Sequence, residues 1–174
     1  MGKKLNNTVM FACSQGGHFS QMMALKELFG KYDSVLVTDN MRANKDMPAL
    51  KDIGEIVYAM AMADRRKELS SSGKNGDGRF AFIPGYFHLF SECRKIIKDY
   101  KPSVIISTGS NIAVPLFFYG KMRGCKLIFI ETRAKVYGKS MTGKLVGKVA
   151  DQVFVQWPEM LVHYPKAKYC GTLV

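Results

Sequence analysis

The chain has 174 residues, enough for one α/β domain with a full hydrophobic core and not comfortably for two. Its composition is globular, with 47% hydrophobic and 23% charged residues, and no apolar run approaches the length that spans a bilayer. The formal net charge of +12, from 26 Lys and Arg against 14 Asp and Glu, suits either nucleic acid or an anionic membrane face, and charge alone does not choose between them.

The first residues and the cysteines indicate the compartment. Residues 1–7 are too short and polar for a secretory signal, so we expect a cytoplasmic protein. Cys13, Cys93, Cys125 and Cys170 are widely spaced and form no CxxC pair, which predicts reduced structural thiols. The three histidines are dispersed and no DxD pair is present, so we predict no metal ion and no other cofactor.

The chain begins with a predicted strand, glycine turn and helix. Thr8–Cys13 is an almost continuous apolar run, typical of a strand buried on both faces of a parallel sheet. Gly16 and Gly17 form a small turn, and from His18 onward apolar residues recur at helical spacing. The backbone N–H groups of such a turn suit phosphate or a developing negative charge.

His18 lies in the first turn of that helix and faces the same space. A side chain that titrates near neutral pH can act there as a general base. The alternative is that Gly16 and Gly17 only allow a tight turn and that His18 caps the helix. The turn is neither a P-loop nor the three-glycine dinucleotide fingerprint.

Two more strands follow, Ser34–Thr38 and Glu55–Met60. Asp39 comes directly after the first of them, at the edge of the sheet where the glycine turn lies, and can hold sugar hydroxyls. An acidic residue at this distance also binds ribose in dinucleotide-binding folds, so its position does not discriminate. Residues 64–79 are polar, basic and rich in Gly and Ser, and we expect this segment to be mobile.

Residues 80–100 combine many aromatic side chains with a helix predicted from Pro84 to Tyr100. One helix face cannot bury all of these rings, and basic residues flank them on both sides, as in elements that lie in a membrane interface. The alternative is that most of the rings belong to the core. The candidate membrane-docking residues are Phe80, Phe82, Tyr86, Phe87 and Phe90.

The second half repeats the pattern of strand, turn and helix. Glu131 and Arg133 directly follow a predicted strand, either as ligand contacts or as ordinary solvent-facing residues. The predicted elements are strand Ser103–Ser107, a turn at Gly109, Ser110 and Asn111, helix Ile112–Met122, strand Lys126–Ile130, helix Thr142–Ala150, strand Gln152–Gln156 and strand Lys168–Cys170. They predict a single α/β domain, a Rossmann-like parallel sheet flanked by helices.

Five motifs occur in order along the chain: SQGGHFSQM, STGSNIAVP, IFIET, SMTGKL and VQWPE. In this order they resemble the acceptor-side, membrane-recruiting subunit of bipartite glycosyltransferases, and the resemblance covers nearly the whole chain. The family includes the subunit of the eukaryotic UDP-N-acetylglucosamine transferase that adds the second sugar of the dolichol-linked N-glycan precursor, and bacterial PssD-type subunits of capsular and exopolysaccharide synthesis. The N-terminal half of the MurG transferase is similar more distantly.

The resemblance implies one half of a GT-B enzyme that is split over two chains. This chain would be the acceptor-side half, equivalent to the N-terminal half of a GT-B glycosyltransferase, and inactive without a donor-binding partner subunit. It would transfer a sugar from a nucleotide sugar, with inversion and without metal, to a polyprenyl-diphosphate-linked sugar in capsular or exopolysaccharide synthesis. The resemblance also implies peripheral association with the inner face of the cell membrane.

The resemblance also carries site residues over by their place in the motifs. It implies that His18 is the catalytic base and that Glu131 orients His18 or holds acceptor hydroxyls. The implied substrate-binding residues, with Asp39 from the pattern above, are Gly16, Gly17, Asp39, Gly109, Ser110, Asn111, Arg133, Thr142 and Lys144. The first loop lacks the further glycine that many relatives place before GGH, and no transmembrane helix precedes the domain, unlike in the eukaryotic subunit.

Three alternatives differ in kind from a catalytic subunit. The chain could be a membrane adaptor or scaffold whose partner supplies every catalytic group. It could be a stand-alone dinucleotide-binding enzyme, although its glycine fingerprint is incomplete. It could bind nucleic acid, but it has no RNP-type or helix-turn-helix signature, so we predict no nucleic-acid partner.

Overall fold

The computed structural model describes residues 8–59 and 83–173, and a seven-stranded parallel sheet runs through them. The strands lie in the order β3-β2-β1-β4-β5-β6-β7, and every adjacent pair is parallel. Their bounds are β1 Thr8–Cys13, β2 Asp33–Thr38, β3 Glu55–Tyr58, β4 Val104–Ser107, β5 Lys126–Ile130, β6 Gln152–Val155 and β7 Lys168–Tyr169. The predicted Rossmann-like sheet is confirmed.

Helices cover both faces of this sheet. They are α1 Gly17–Met23, α2 Ile83–Tyr100, α3 Ala113–Met122 and α4 Met141–Val146, with 3₁₀ turns at Lys26–Leu28 and Pro158–Val162. The apolar residues that recur at helical spacing from His18 onward belong to two elements in the structure. The helix α1 ends at Met23, and Leu28 lies in the first 3₁₀ turn. A 3₁₀ turn tightens the chain there, and Leu28 still packs against the core beneath α1.

The residues of β1 alternate between two cores because successive side chains of a strand point to opposite faces. Met10 and Ala12 pack in the core that α2, α3 and α4 cover. Phe11 and Cys13 pack in the core beneath α1, where the ring of Phe11 meets that of Phe29 edge-on, with centroids 4.8 Å apart. Burial raises the pKa of the Cys13 thiol to about 12, so this group stays protonated at neutral pH.

The order of the strands reverses between β1 and β4, which lie side by side. From β1 the chain continues to β2 and β3, which lie on one side of β1. It then returns through α2 to β4, which lies on the other side of β1. The loops after β1 and β4 therefore lead to opposite faces, and they leave a crevice at the carboxyl edge, which is where open α/β sheets bind ligands. The two predicted small-residue turns flank this crevice.

The predicted docking region is described only in part. Phe80, Phe82 and the segment 64–79 lie outside the described residues. On α2, Phe87 is 73% exposed, whereas Leu89 is buried. Phe90 is half-buried and packs against the rings of α3, with a centroid distance of 6.1 Å to Phe118. The aromatic residues of α2 are therefore divided between the surface and the contact with α3.

Among the helices that the structure describes, none combines the length and the apolar composition that a membrane crossing needs.

Candidate functional site

A cavity of about 540 Å³ opens at the carboxyl edge, at the crevice between β1 and β4. The loops after β1, β2, β4 and β5 line it together with the start of α4. Five residues predicted from the sequence take part: His18, Asp39, Ser110, Asn111 and Thr142. His18 also lines a second cavity, which includes Gly17, Arg133 and Trp157. His18 therefore borders two cavities, an arrangement that suits a group acting on two substrates.

The ring of His18 is held by the loop after β4. Its Nδ1 lies 2.8 Å from the carbonyl oxygen of Thr108, and the Thr108 hydroxyl donates to the His18 carbonyl oxygen, also at 2.8 Å. A carbonyl oxygen only accepts, so Nδ1 carries the proton and Nε2 of the neutral ring carries the lone pair. No hydrogen bond to Nε2 is found within residues 8–59 and 83–173. The ring therefore presents a proton acceptor at the cavity.

Gly109 makes room for that ring. Its φ is +116°, a backbone conformation that favours glycine, and a Cβ at this position would lie 2.7 Å from Cε1 of His18. Any side chain there would displace the ring from Thr108. Gly109, which the resemblance implied as a substrate-binding residue, therefore also serves to seat His18.

Ser110 has an unusual backbone and an unpaired hydroxyl. Its φ is +85°, strained for a residue other than glycine, and its carbonyl oxygen accepts a hydrogen bond from the Thr142 hydroxyl at 3.2 Å. Its Oγ is buried and has no hydrogen-bond partner in the described part of the chain. A polar atom of this kind at the wall of a cavity is suited to bind a ligand.

Asp39 connects the end of β2 to the first glycine loop. Its Oδ1 accepts the backbone N–H of Gln15 at 2.7 Å. Asp39 also lines the cavity between β1 and β4, so it both holds the loop that carries Gly16 and Gly17 and borders the space that a sugar would fill. Gly16 is the residue before α1, with φ +81°.

Glu131 lies at the end of β5 but is only 1% exposed. Its carboxylate accepts the N–H of Thr132 at 3.0 Å, the N–H of Ser140 at 3.2 Å and the hydroxyl of Tyr164 at 2.6 Å. Within the described residues it makes no hydrogen bond to His18, which Thr108 holds instead. The structure therefore places Glu131 as a support for the start of α4. Of the two roles that the resemblance implied for it, the orientation of His18 has no direct hydrogen bond among the described residues.

The residues around the Glu131 carboxylate are packed so closely that no further atom fits beside it. A Cβ on Gly143 would overlap both the Tyr164 hydroxyl and the Glu131 carboxylate. Ser140 caps α4, since its Oγ accepts the Gly143 N–H at 2.9 Å. Burial, together with the hydrogen bond to Glu131, raises the pKa of Tyr164 well above its usual range. The phenol therefore stays a donor to the carboxylate at neutral pH.

The basic residues near the site agree only in part with those that the sequence indicated, since Arg133 lines the second cavity beside His18 and Lys144 lines neither. Lys135 lines the cavity between β1 and β4 with His18 and Ser110, although the motifs did not single it out. Lys144 is exposed in the last turn of α4 and is not among the residues that line either cavity beside His18. Arg133 is exposed, and its carbonyl oxygen accepts the indole N–H of Trp157 at 2.7 Å. The sequence signal for Lys135 was its place in the loop after β5.

Within the two described ranges, no cluster of three or more His, Cys, Asp or Glu side chains is arranged to hold a metal ion.

Comparison with known sequences gives a consistent result. A model of the family described as "Oligosaccharide biosynthesis protein Alg14 like" matches residues 8–173. The chain is 22% identical over 182 residues to the UDP-N-acetylglucosamine transferase subunit ALG14 of Yarrowia lipolytica, covering 99% of this chain and 83% of that one. Over 101 residues it is 28% identical to the UDP-N-acetylglucosamine--N-acetylmuramyl-(pentapeptide) pyrophosphoryl-undecaprenol N-acetylglucosamine transferase of a Geobacter species, covering 56% of this chain and 26% of that one.

Solved structures share the fold at low sequence identity. MurG of Acinetobacter baumannii superposes with a TM-score of 0.61 at 15% identity, over 88% of this chain and 42% of that one. MnaA of S. aureus, solved with UDP, gives a TM-score of 0.63 at 11% identity, over 96% of this chain and 44% of that one. The chain thus spans less than half the length of these two proteins and has the Rossmann-like fold of GT-B enzymes.

Proposed function

Because the chain belongs to the Alg14-like family of oligosaccharide biosynthesis proteins, we propose that it is the acceptor-side subunit of a two-chain N-acetylglucosaminyltransferase. A separate subunit holds the nucleotide sugar, and this chain binds a sugar carried on a polyprenyl diphosphate. The names of its relatives support both the donor sugar and the subunit role. None of these names refers to capsular or exopolysaccharide synthesis, and the expected setting in that synthesis is not part of the proposal.

The geometry of His18 carries the proposal. With its Nδ1 proton donated to Thr108, the neutral ring takes a proton from the acceptor hydroxyl at Nε2. That hydroxyl oxygen forms a bond to the anomeric carbon of the donor sugar, and the bond from this carbon to the diphosphate oxygen breaks. The nucleoside diphosphate leaves with the electron pair, and the sugar is inverted. No cofactor takes part in these steps.

The diphosphate of the acceptor binds in the cavity between β1 and β4. Lys135 supplies a positive charge, the unpaired Ser110 hydroxyl supplies a donor, and α3 begins directly beyond Asn111. The sequence had pointed to Arg133 or Lys144 beside the glycine loops. The structure favours Lys135 for this charge because it shares a cavity with both His18 and Ser110.

We expect the full chain to have no transferase activity by itself. It resembles less than half of the length of MurG, and a nucleotide sugar needs the other half to bind. The test compares the recombinant chain, produced in an unrelated host, with the tagged chain purified with its partner from its own cell. Both receive radiolabelled UDP-N-acetylglucosamine and polyprenyl-diphosphate-linked N-acetylglucosamine in detergent.

Transfer of label to the lipid by the copurified complex alone is the expected result. Turnover by the isolated chain at the rate of the complex would contradict the two-chain proposal. A complex that hydrolyses the nucleotide sugar without labelling the lipid would contradict the proposed acceptor.

We also propose that the protein docks on the membrane through the aromatic surface of α2 and α3. We call this surface the aromatic ridge, and its described members are Tyr86, Phe87, Phe90, Phe118 and Tyr119. On the inner side of α2, Leu89 lines the cavity between β1 and β4, so a lipid-linked sugar can reach this cavity from a membrane at the ridge. Exposed basic residues on α2 and just after α3 add attraction to anionic lipid: Arg94, Lys95, Lys98 and Arg123.

Substitution of Phe87 and Phe118 by serine should weaken binding to anionic vesicles at least about tenfold. These rings are 73% and 52% exposed, so their removal costs the folded protein little, whereas burial of an aromatic ring contributes about 1.5 to 3 kcal/mol. Cosedimentation with vesicles of mixed anionic and zwitterionic lipid gives the affinity, and thermal melting gives the stability.

The matched control is Tyr32→Ser, which also removes an aromatic ring that is 52% exposed. Tyr32 directly precedes β2, whereas α3 follows β4, on the other side of the point where the strand order reverses. Vesicle binding of this variant should equal that of the wild type. Binding of all variants should fall at higher salt, since surface attraction is screened over about 10 Å at 0.1 M. The ridge is excluded as the docking surface if the variant with both substitutions binds vesicles normally, or if its melting temperature lies far below that of the wild type.

A further inference from the structure

Two glutamine side chains are buried behind the glycine loop. Gln21 of α1 is 4% exposed and Gln156, directly after β6, is 2% exposed. Glutamine is a surface residue in most proteins, because a buried amide costs free energy unless each of its polar atoms is paired. Both amides are paired, and their partners form one connected series.

The series runs from residue 173 to the turn that carries His18. The N–H of Leu173 donates to Oε1 of Gln156 at 2.9 Å. Nε2 of Gln156 donates to Oε1 of Gln21 at 2.5 Å and to the carbonyl oxygen of Glu131 at 2.9 Å. Nε2 of Gln21 then donates to the carbonyl oxygen of Gly17 at 3.0 Å.

Backbone groups determine the orientation of both amides. Oε1 of Gln21 also accepts the N–H of Arg133 at 3.2 Å, and a backbone N–H can only donate. Oε1 of Gln156 is assigned in the same way by the N–H of Leu173. Reversal of either amide would bring two donors together at one end and two acceptors at the other. The direction of the whole series is therefore unique.

The last bond of the series acts on the peptide unit that joins Gly17 to His18. The position of this peptide unit determines the position of the His18 Cα, and from there Nδ1 of the ring must reach the carbonyl oxygen of Thr108. The series also ties this peptide unit to three distant parts of the chain, namely the loop after β5, the end of β6 and residues 171–173.

We propose that Gln21 and Gln156 are positioning residues for His18, which hold its peptide unit so that Nδ1–H donates to Thr108 and Nε2 stays the proton acceptor. Residues 171–173 thereby influence the base from the far end of the series. The effect on catalysis rests on the proposed function, whereas the positioning of the ring can be measured without any activity.

Nitrogen-15 NMR of the histidine rings in the full chain tests this directly. At about pH 8.5 an ordinary imidazole is neutral, and the shifts of its two nitrogens report which one carries the proton. Three variants are compared with the wild type. Gln21→Glu keeps the acceptor for Gln156 and Arg133 but cannot donate to Gly17, and Gln156→Leu interrupts the series. Gln152→Leu is the control at the start of β6, where the amide nitrogen donates to the carbonyl oxygen of Val153 at 2.8 Å and takes no part in the series.

The wild type and Gln152→Leu should show His18 protonated at Nδ1. In Gln21→Glu and Gln156→Leu the ratio of the Nε2–H to the Nδ1–H form of His18 should rise at least about fivefold, as expected for loss of one ordinary hydrogen bond. His163, whose Nε2 bonds to the carbonyl oxygen of Tyr137, is the internal reference and should not change. The resonances are assigned with His18→Ala.

An unchanged His18 ratio in folded Gln21→Glu would overturn the proposal. If Gln156→Leu does not fold, Gln21→Glu decides by the same ratio. If neither folds, the amides are purely structural and the proposal is likewise overturned. A shifted ratio combined with normal turnover of the reconstituted transferase would keep the positioning role and remove His18 from the proposed mechanism, so that the two failures are distinct.

Discussion

Replacement of His18 by alanine should lower the maximal rate of the reconstituted transferase by about a hundredfold or more. The physical reason is that His18, with Nδ1 bonded to Thr108 and Nε2 left as the proton acceptor, lines both cavities, and water replaces a positioned base poorly. Alanine also removes the bond to Thr108, so a second variant is needed. His18→Asn places an amide N–H near the position of Nδ1 and keeps the donor to Thr108 while it removes the base.

Both variants should lose turnover to a similar extent, with binding of the partner subunit unchanged. The control is His163→Ala, which removes a half-buried histidine whose ring contacts Tyr137. A normal rate for His18→Asn would show that the ring serves only to tie the loops together. A normal rate for both variants would favour the adaptor interpretation, in which the partner supplies every catalytic group.

Replacement of Glu131 by alanine should destabilise the chain by about 3 to 6 kcal/mol. It leaves the buried Tyr164 hydroxyl and the half-buried N–H groups of Thr132 and Ser140 without an acceptor, at about 1 to 2 kcal/mol each, the lower part of the range for buried groups. This is a large part of the stability of an ordinary domain. For a chain of this length it corresponds to a melting temperature lower by roughly 10 to 20 °C. Glu131→Gln keeps one acceptor oxygen and should lose less.

Urea unfolding followed by circular dichroism measures the difference. Glu159→Ala is the matched control, because Glu159 is an exposed carboxylate in the 3₁₀ turn after β6 and its loss should change the stability by less than about 0.5 kcal/mol. A loss below about 1 kcal/mol for Glu131→Ala would show that the carboxylate does not organise the start of α4. Glu131 would then be available for the role at the substrate that the sequence suggested.

Much of the fold could be predicted from the sequence, because the physical signals for it are local. Central parallel strands are buried on both faces and appear as short apolar runs, so β1 and β5 were predicted with the bounds that the structure has. Strands β3 and β6 end one or two residues earlier than predicted, and α4 ends at Val146 instead of Ala150. Ends of elements depend on capping and on neighbouring segments more than on composition.

The sequence predicted where the candidate site lies in the fold, but it predicted only some of the contacts within the site. Strand ends and glycine turns indicate the carboxyl edge of a sheet, so the sequence by itself determined that His18, Asp39 and the turn at Gly109 face a common space. It did not determine that Thr108 holds the His18 ring, because that contact depends on β1 and β4 being adjacent, and strand order is not a local property.

Tertiary structure alone decided which polar residues are buried. Glu131 follows a strand like a ligand contact, yet Ser140 and Tyr164 come from later in the chain to enclose it. Gln21 and Gln156 carry no sequence signal at all, since an isolated glutamine is usually exposed and only the meeting of α1, β6 and residues 171–173 pairs these amides. Local periodicity specifies strands and helices, whereas hydrogen-bond partners that are 33 to 135 residues apart are specified only when the sheet brings them together.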